Sequence, residues 1–125
     1  MTAPSLDPHG ELVTFDVSRA DASGVVRAAG EIDSTTAPLL STHLTELLDA
    51  EVRELVVDLQ GVSFLDSAGL CVLATVHRRA ARQDVRMRVL ASSRAVIRPL
   101  QITGLWDLLQ AEQKPAVDQV AQGVA

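Results

Sequence analysis

The chain has 125 residues, 47% of them hydrophobic and 22% charged, which supplies one compact core and makes a single domain the default expectation. Acidic residues outnumber basic ones 16 to 11, for a net charge of −5, so the surface is not built to release counterions from nucleic acid. One cysteine closes no intrachain disulfide, and no apolar run approaches the roughly 20 residues that span a bilayer. The opening Met-Thr-Ala-Pro-Ser-Leu-Asp-Pro-His-Gly lacks the basic start and apolar stretch of a signal peptide. The expected setting is therefore the cytoplasm. Aromatic residues are limited to Phe15, Phe64 and Trp106, which disfavours base-stacking platforms.

Leu12 to Val17 alternates apolar and polar residues as a half-exposed strand does. After the break at Asp21-Ala22-Ser23-Gly24, a second strand from Val25 to about Ile32 predicts an antiparallel hairpin. Thr36-Ala37-Pro38 offers an N-cap and a first-turn proline, and Leu40, Leu44, Leu47 and Leu48 recur at helical spacing to about Ala50. Leu55 to Leu59 is a β-branched-rich run bounded by Gly61, the pattern of a buried strand. A second helix runs from Asp66 to about Gln83, with arginines in its last turns that complement the macrodipole. Arg86 to Leu90 is a further strand, Ser93 to Ile102 a third helix, and Leu105 to Leu109 a last helical turn. The order β-β-α-β-α-β-α, with right-handed crossovers, predicts one α/β domain: a mixed, mostly parallel sheet of about four to five strands faced by three to four helices. Residues 1–10 read as an N-terminal tail, 11–110 as the domain, and 111–125 as a tail or a short helix opened by Pro115.

Loops at the carboxyl ends of parallel strands share one rim, where sites usually lie. Two polar loops qualify, Gly30-Glu31-Ile32-Asp33-Ser34-Thr35 and Ser63-Phe64-Leu65-Asp66-Ser67-Ala68-Gly69. If Asp66 is the N-cap, Leu65 and Leu70 take the hydrophobic-staple positions and Ser67 falls at the first helical position. The cap side chain is then occupied by backbone N–H groups, whereas the serine projects outward at the positive end of the helix. Gly69 removes bulk one turn in, which would let another molecule approach Ser67 closely. The same four residues also make an ordinary helix start, so capping alone does not assign a function.

Nucleophilic catalysis would need a base for Ser67. His77, ten residues along the same helix, lies roughly 15 Å away. His43 belongs to the first helix and His9 to the tail, and neither a G-x-S-x-G elbow nor a Walker A loop is present. The histidines lack the i, i+4 spacing of a metal pair, so no metal or other cofactor is expected, and each reads as a surface or packed side chain. Cys71 reads as a small packed hydrophobe. The remaining chemistry for Ser67 is that of a substrate: phosphorylation would add about −1.5 to −2 charges where a helix N-terminus tolerates an anion.

The segments Gly30-Glu31-Ile32-Asp33 with Thr36-Ala37, the strand from Leu55 to Leu59, and Phe64-Leu65-Asp66-Ser67-Ala68-Gly69-Leu70 resemble the STAS domain of bacterial anti-sigma factor antagonists. The resemblance runs from about Leu12 to Leu109. It implies a regulator and not an enzyme, whose unphosphorylated form binds an anti-sigma factor with serine kinase activity and so releases the sigma factor. Phosphorylation of the serine after the aspartate, here Ser67, would switch that binding off, and a phosphatase would be a further partner. Ala68 stands where many relatives carry a second hydroxyl, which leaves Ser67 as the single acceptor. Asp33, Ser34 and Thr35 with Asp66, Ser67, Ala68 and Gly69 form the expected docking surface, on a monomer or weak dimer with no membrane span. Two alternatives remain: a scaffold or lipid-transport accessory subunit that is never phosphorylated, and a phosphoaspartate switch on Asp66. The second would need an acidic cluster and an opposing lysine, whereas the only lysine, Lys114, lies in the tail.

Overall fold

Alternation along the first half of the chain produces the hairpin it predicts. Strands β2 (Leu12–Ala20) and β3 (Ser23–Ile32) pair antiparallel around a turn whose Asp21 sits at φ 55°, a left-handed conformation that aspartate tolerates better than most residues. Val13, Phe15, Val26 and Ala28 are buried on one face, while Ser18 and Arg27 are exposed on the other. The computed structural model describes residues 2–6 and 12–115.

Helix α1 (Ala37–Asp49) lays Leu40, Leu44, Leu47 and Leu48 on that buried face. Strand β4 (Glu54–Leu65) returns parallel to β3, helix α2 (Ser67–Arg82) packs against α1, and β5 (Arg86–Ala91) lies parallel to β4. Helices α3 (Arg94–Ile102) and α4 (Leu105–Leu108) follow, then a two-residue strand β6 (Glu112–Gln113) parallel to β5. Leu55, Val57 and Leu59 of β4 and Leu73, Val76 and Ala80 of α2 complete the centre of an aliphatic core. An inter-helix ion pair between Arg79 and Asp49 ties the exposed ends of α2 and α1.

The four strands read from the sequence are β2 to β5. Two more flank them in the order β1-β2-β3-β4-β5-β6. Within the segment read as a tail, Thr2–Leu6 forms β1, antiparallel to β2. It carries Pro4, which lacks an N–H and is accommodated because β1 is an edge. The chain past Gln110 also differs from a plain tail, since β6 adds to the opposite edge and the Lys114 amide donates to the Ala91 carbonyl at 2.8 Å. The short helix expected from Pro115 falls beyond this residue, outside the described ones. Strand β4 is longer than the Leu55–Leu59 run because two bulges let it keep pace with β3. Leu59 and Gln60 together oppose Ala28, and Ser63 is the extra residue between the Gly30–Val62 and Glu31–Phe64 pairs. At the first bulge the Gln60 amide is satisfied by Asp58 Oδ1 at 3.0 Å.

Arg88 holds β6 in place. Its Nε and Nη2 donate to the two carboxylate oxygens of Glu112 at 2.9 and 3.0 Å, and Lys114 Nζ lies 3.4 Å from Oε1. The Arg88 hydrogen bonds, aided by Lys114, hold the Glu112 carboxyl at about 2, below its ordinary 4.5. A folded-state value below the unfolded one means that this contribution is complete above the ordinary range and is lost as pH falls toward 2. The side chains are about one-third exposed, so solvent screening keeps the effect local. We expect hydrogen-exchange protection of the Lys114 amide to fall between about pH 4.5 and 2, before the amides of β3 and β4 lose theirs. Glu112→Gln should lower that protection already at neutral pH; an unchanged Lys114 amide would mean that backbone pairing alone holds β6.

Candidate functional site

The two polar loops leave neighbouring parallel strands, and the strand ends bring them together. Gly30 adopts φ 105° at the second bulge, a left-handed value that costs a side-chain-bearing residue about 1–3 kcal/mol. Beyond it Glu31 pairs with Phe64 and Ile32 with Leu65. Two further bonds join the loops: the Asp66 amide donates to the Ile32 carbonyl at 3.1 Å, and Ser63 Oγ to the Gly30 carbonyl at 3.4 Å.

In the second loop, Asp66 is the N-cap of α2. Its Oδ1 accepts from the amides of Ala68 at 2.9 Å and Gly69 at 3.3 Å. Ser67 is therefore the first helical residue, exposed, and its hydroxyl makes no hydrogen bond among the described residues. The sequence reading assigned these two roles correctly. It misjudged Gly69, which is buried. A Cβ there would run into Leu65 Cδ1 and come within 3.0 Å of Ile32 Cγ2. The glycine thus lets α2 start close against the ends of β3 and β4, and its bearing on the surface is indirect. Ala68 is half-buried beside it.

The first loop is organised by Asp33. Its Oδ1 accepts from the Thr35 hydroxyl at 2.6 Å and from the amides of Thr35 at 2.9 Å and Thr36 at 3.2 Å, while its carbonyl accepts from the amides of Thr36 and Ala37. Thr36 occupies the N-cap position of α1, yet its side chain caps nothing in the helix. Only 2% exposed, it turns back to accept from the Asp33 amide and donate to the Glu31 carbonyl, both at 2.9 Å. Asp33, half-exposed on the expected docking surface, also shapes the loop, with Ser34 and Thr35 as the exposed residues it presents. The Thr35 hydroxyl and amide, with help from Thr36, hold the Asp33 carboxyl below its ordinary range despite partial desolvation.

No base serves Ser67 within its helix. His77 is ten residues along α2, roughly 15 Å away at 1.5 Å per residue. His43 is packed against Phe15, ring centroids 5.1 Å apart. Among the described residues no three His, Cys, Asp or Glu side chains form a metal-binding group, and no helix is long and apolar enough to cross a membrane. Cys71 is exposed rather than packed; it lies one turn beyond Ser67 on the same side of α2, where helical spacing places residues four apart. Sequence reasoning also passed over the exposure of Phe64, at 45%. The bulge at Ser63 breaks the strand alternation that would have revealed it.

The division of roles at α2 separates two substitutions. Asp66→Ala should cost about 1 kcal/mol by releasing the cap, whereas Ser67→Ala should stay within about 0.5 kcal/mol of the parent; denaturant unfolding measures both, and a larger loss for Ser67→Ala would make the serine the cap. Asp33→Ala should lower the melting temperature and loosen the Thr35 and Thr36 amides in hydrogen exchange. Because its folded-state value is depressed, the Asp33 contribution is complete above the ordinary carboxylate range and is lost as pH falls through the folded-state value. A pH titration of the Thr35 amide resonance follows this directly, and a midpoint at or above the ordinary range would contradict the hydrogen-bonded role.

Comparison with known proteins bears on this geometry. Residues 14–120 match the STAS domain model. The chain is 31% identical over 93 residues to an anti-sigma-B factor antagonist of Staphylococcus aureus (strain NCTC 8325 / PS 47), covering 74% of this chain and 86% of that one. It is 33% identical over 93 residues to the anti-sigma-F factor antagonist RsfB of Mycobacterium tuberculosis (strain CDC 1551 / Oshkosh), covering 74% and 75%. Among solved structures, an anti-sigma factor antagonist from Mycobacterium paratuberculosis superposes with a TM-score of 0.76 at 31% identity, covering 96% of this chain and 98% of that one. With the family model spanning nearly the whole described domain and the strand-end loops joined as above, the chain belongs to the STAS domain family.

Proposed function

We propose that this chain is an anti-sigma factor antagonist: a cytoplasmic binding protein, not an enzyme, whose unphosphorylated form engages an anti-sigma factor with serine kinase activity and frees the sigma factor. Phosphorylation of Ser67 by that kinase ends the engagement, and a phosphatase restores it. One observation carries the reading: Ser67 stands exposed at the first position of α2 while the neighbouring Asp66 does the capping. The hydroxyl is thus available to a kinase without disturbing the helix start. Ser34 and Thr35, presented by Asp33, with Asp66, Ser67 and Ala68 form the docking rim around it. The names of the relatives support the anti-sigma factor as partner.

A phosphoaspartate switch is less well supported. Asp66 Oδ1 is engaged in two amide bonds, and the only lysine, Lys114, pairs with Glu112 on β6.

Incubation with the partner kinase and ATP should place one phosphate per chain, on Ser67, as read by phosphopeptide mapping; phosphate on Ser63, Thr35 or Asp66 would contradict the assignment. Ser67→Glu should weaken the kinase complex by about a hundredfold, near 2.8 kcal/mol at 1.4 kcal/mol per tenfold, with a melting temperature close to that of the parent. Binding within about threefold of wild type, by both Ser67→Glu and the phosphorylated chain, would remove Ser67 as the switch and leave the unphosphorylated scaffold.

A further inference from the structure

Beside the rim lies a groove of about 530 Å³ that the reading above does not use. It is bounded by Phe64 and Leu65 at the end of β4 and by Ala95, Pro99 and Ile102 of α3. Ile102 is 75% exposed and Phe64 45%, although Val96, Ile97 and Leu100 of the same helix are buried in the core. Helix α3 therefore carries a second apolar stripe, aimed away from its own domain. Leu65 belongs to both places: it precedes Asp66 and Ser67, and it packs where Gly69 leaves room. The groove is thus continuous with the Ser67 rim.

Its remaining walls identify the occupant. Arg94 and Arg98 border the groove; both are exposed and, like Arg53, Arg78, Arg82 and Arg86, have no ion-pair partner among the described residues, but these two flank an apolar surface. On a chain of net charge −5, two unpaired cations beside an apolar surface are a local reversal of sign, which selects a partner with carboxylates at that place. A small polar ligand is disfavoured, because specific small-molecule sites need convergent polar groups. The one hydroxyl in the groove, that of Thr103, is already bonded to the Pro99 carbonyl at 2.8 Å.

We infer that this groove is a second half of the docking surface, taking an apolar segment of the anti-sigma factor flanked by carboxylates that pair with Arg94 and Arg98. The inference rests on the anti-sigma factor reading of the Ser67 site. In this arrangement the groove supplies apolar contact and partner choice, and Ser67 decides whether the contact is allowed.

The test uses the full-length chain and purified anti-sigma factor kinases of the source organism, with affinity measured by calorimetry at about 50 and about 500 mM salt to vary screening. Arg94→Glu combined with Arg98→Glu, and separately Ile102→Asp, should each weaken the complex by about 30-fold or more, as truncation of an interface anchor does. The arginine double variant should also flatten the salt dependence. Leu108→Asp, at an exposed apolar position outside the groove, should bind within about threefold of wild type. Thermal melts confirm folding, and the surface arginine variant decides the matter if Ile102→Asp does not fold. Groove variants that bind like wild type, while Ser67→Glu loses binding, overturn the groove and leave the Ser67 reading standing. Wild type that binds none of the kinases overturns the Ser67 reading, and the groove's assignment with it. Two other occupants are read in the same samples. A wild-type dimer dispersed by Ile102→Asp makes the occupant a second copy, and Phe64 and Ile102 resonances that move on deleting residues 116–125 make it the chain's own tail. Either result overturns the inference.

Discussion

The parallel pairing of β3 with β4 is the constraint on which the rest of the molecule depends. Both strands are interior to the sheet. Their inner residues, Val26 and Ala28 on one and Leu55, Val57 and Leu59 on the other, form the floor beneath α1 and α2. Because the strands run the same way, both loops that leave them emerge at one rim. The pairing continues past the β-branched run of β4, through two bulges, until the Asp66 amide meets the Ile32 carbonyl. A shorter β4 would leave the second loop to wander. Instead the starts of α1 and α2 are set by the same few backbone bonds, and positive φ at Gly30 lets the strand make that last adjustment.

Each loop then separates the residue that shapes it from the residues it presents. Asp66 satisfies the first amides of α2 and Ser67 is left exposed. Asp33 and buried Thr36 close the turn before α1, and Ser34 and Thr35 are left exposed. Carboxylates do the structural work and hydroxyls face outward. Thr35 serves both ends, since its hydroxyl is exposed and yet bonded to Asp33. A surface built this way can lose or modify its outer hydroxyls at little cost to the fold, because the amides that need partners have them elsewhere.

Those features were legible in the sequence to different degrees, for physical reasons. The α2 start was readable because Asp, Ser and a flanking leucine pair make a local pattern that does not depend on distant contacts. The hairpin and the four central strands were readable from apolar periodicity. Strand β1 was not, because its proline reads as a break unless the strand is known to be an edge. The β4 extension was hidden behind Gly61, which marks a bulge rather than an end. Gly69 and Asp33 read from the sequence as rim residues, without the structural roles that each also has. The distinction rests on Leu65 and Ile32 packing against the glycine and on Thr35 and Thr36 bonding to the aspartate, contacts that spacing alone does not specify. Cys71 was placed in the core by residue type, and the helix phase set by Leu73 and Val76 turns it outward.

The same geometry fixes where a charge at Ser67 would act. In the free chain the first turn of α2 is the positive end of the helix dipole, where an anion is tolerated or favoured by about 0.3–1 kcal/mol. In a complex that covered the rim, a charge that lost its hydration without a cation facing it would cost several kcal/mol. Asp33 and Asp66 make the rim itself a poor source of such a cation, while the exposed Arg94 and Arg98, without ion-pair partners among the described residues, flank the groove along α3. The opposing signs divide the surface into an acidic, hydroxyl-bearing rim and a basic, apolar groove. A partner matched to both would be held mainly by apolar contact at the groove and oriented by its charges. Adding negative charge at the rim would then oppose the complex far more than it disturbs the fold, because the penalty arises only when water is excluded from that edge.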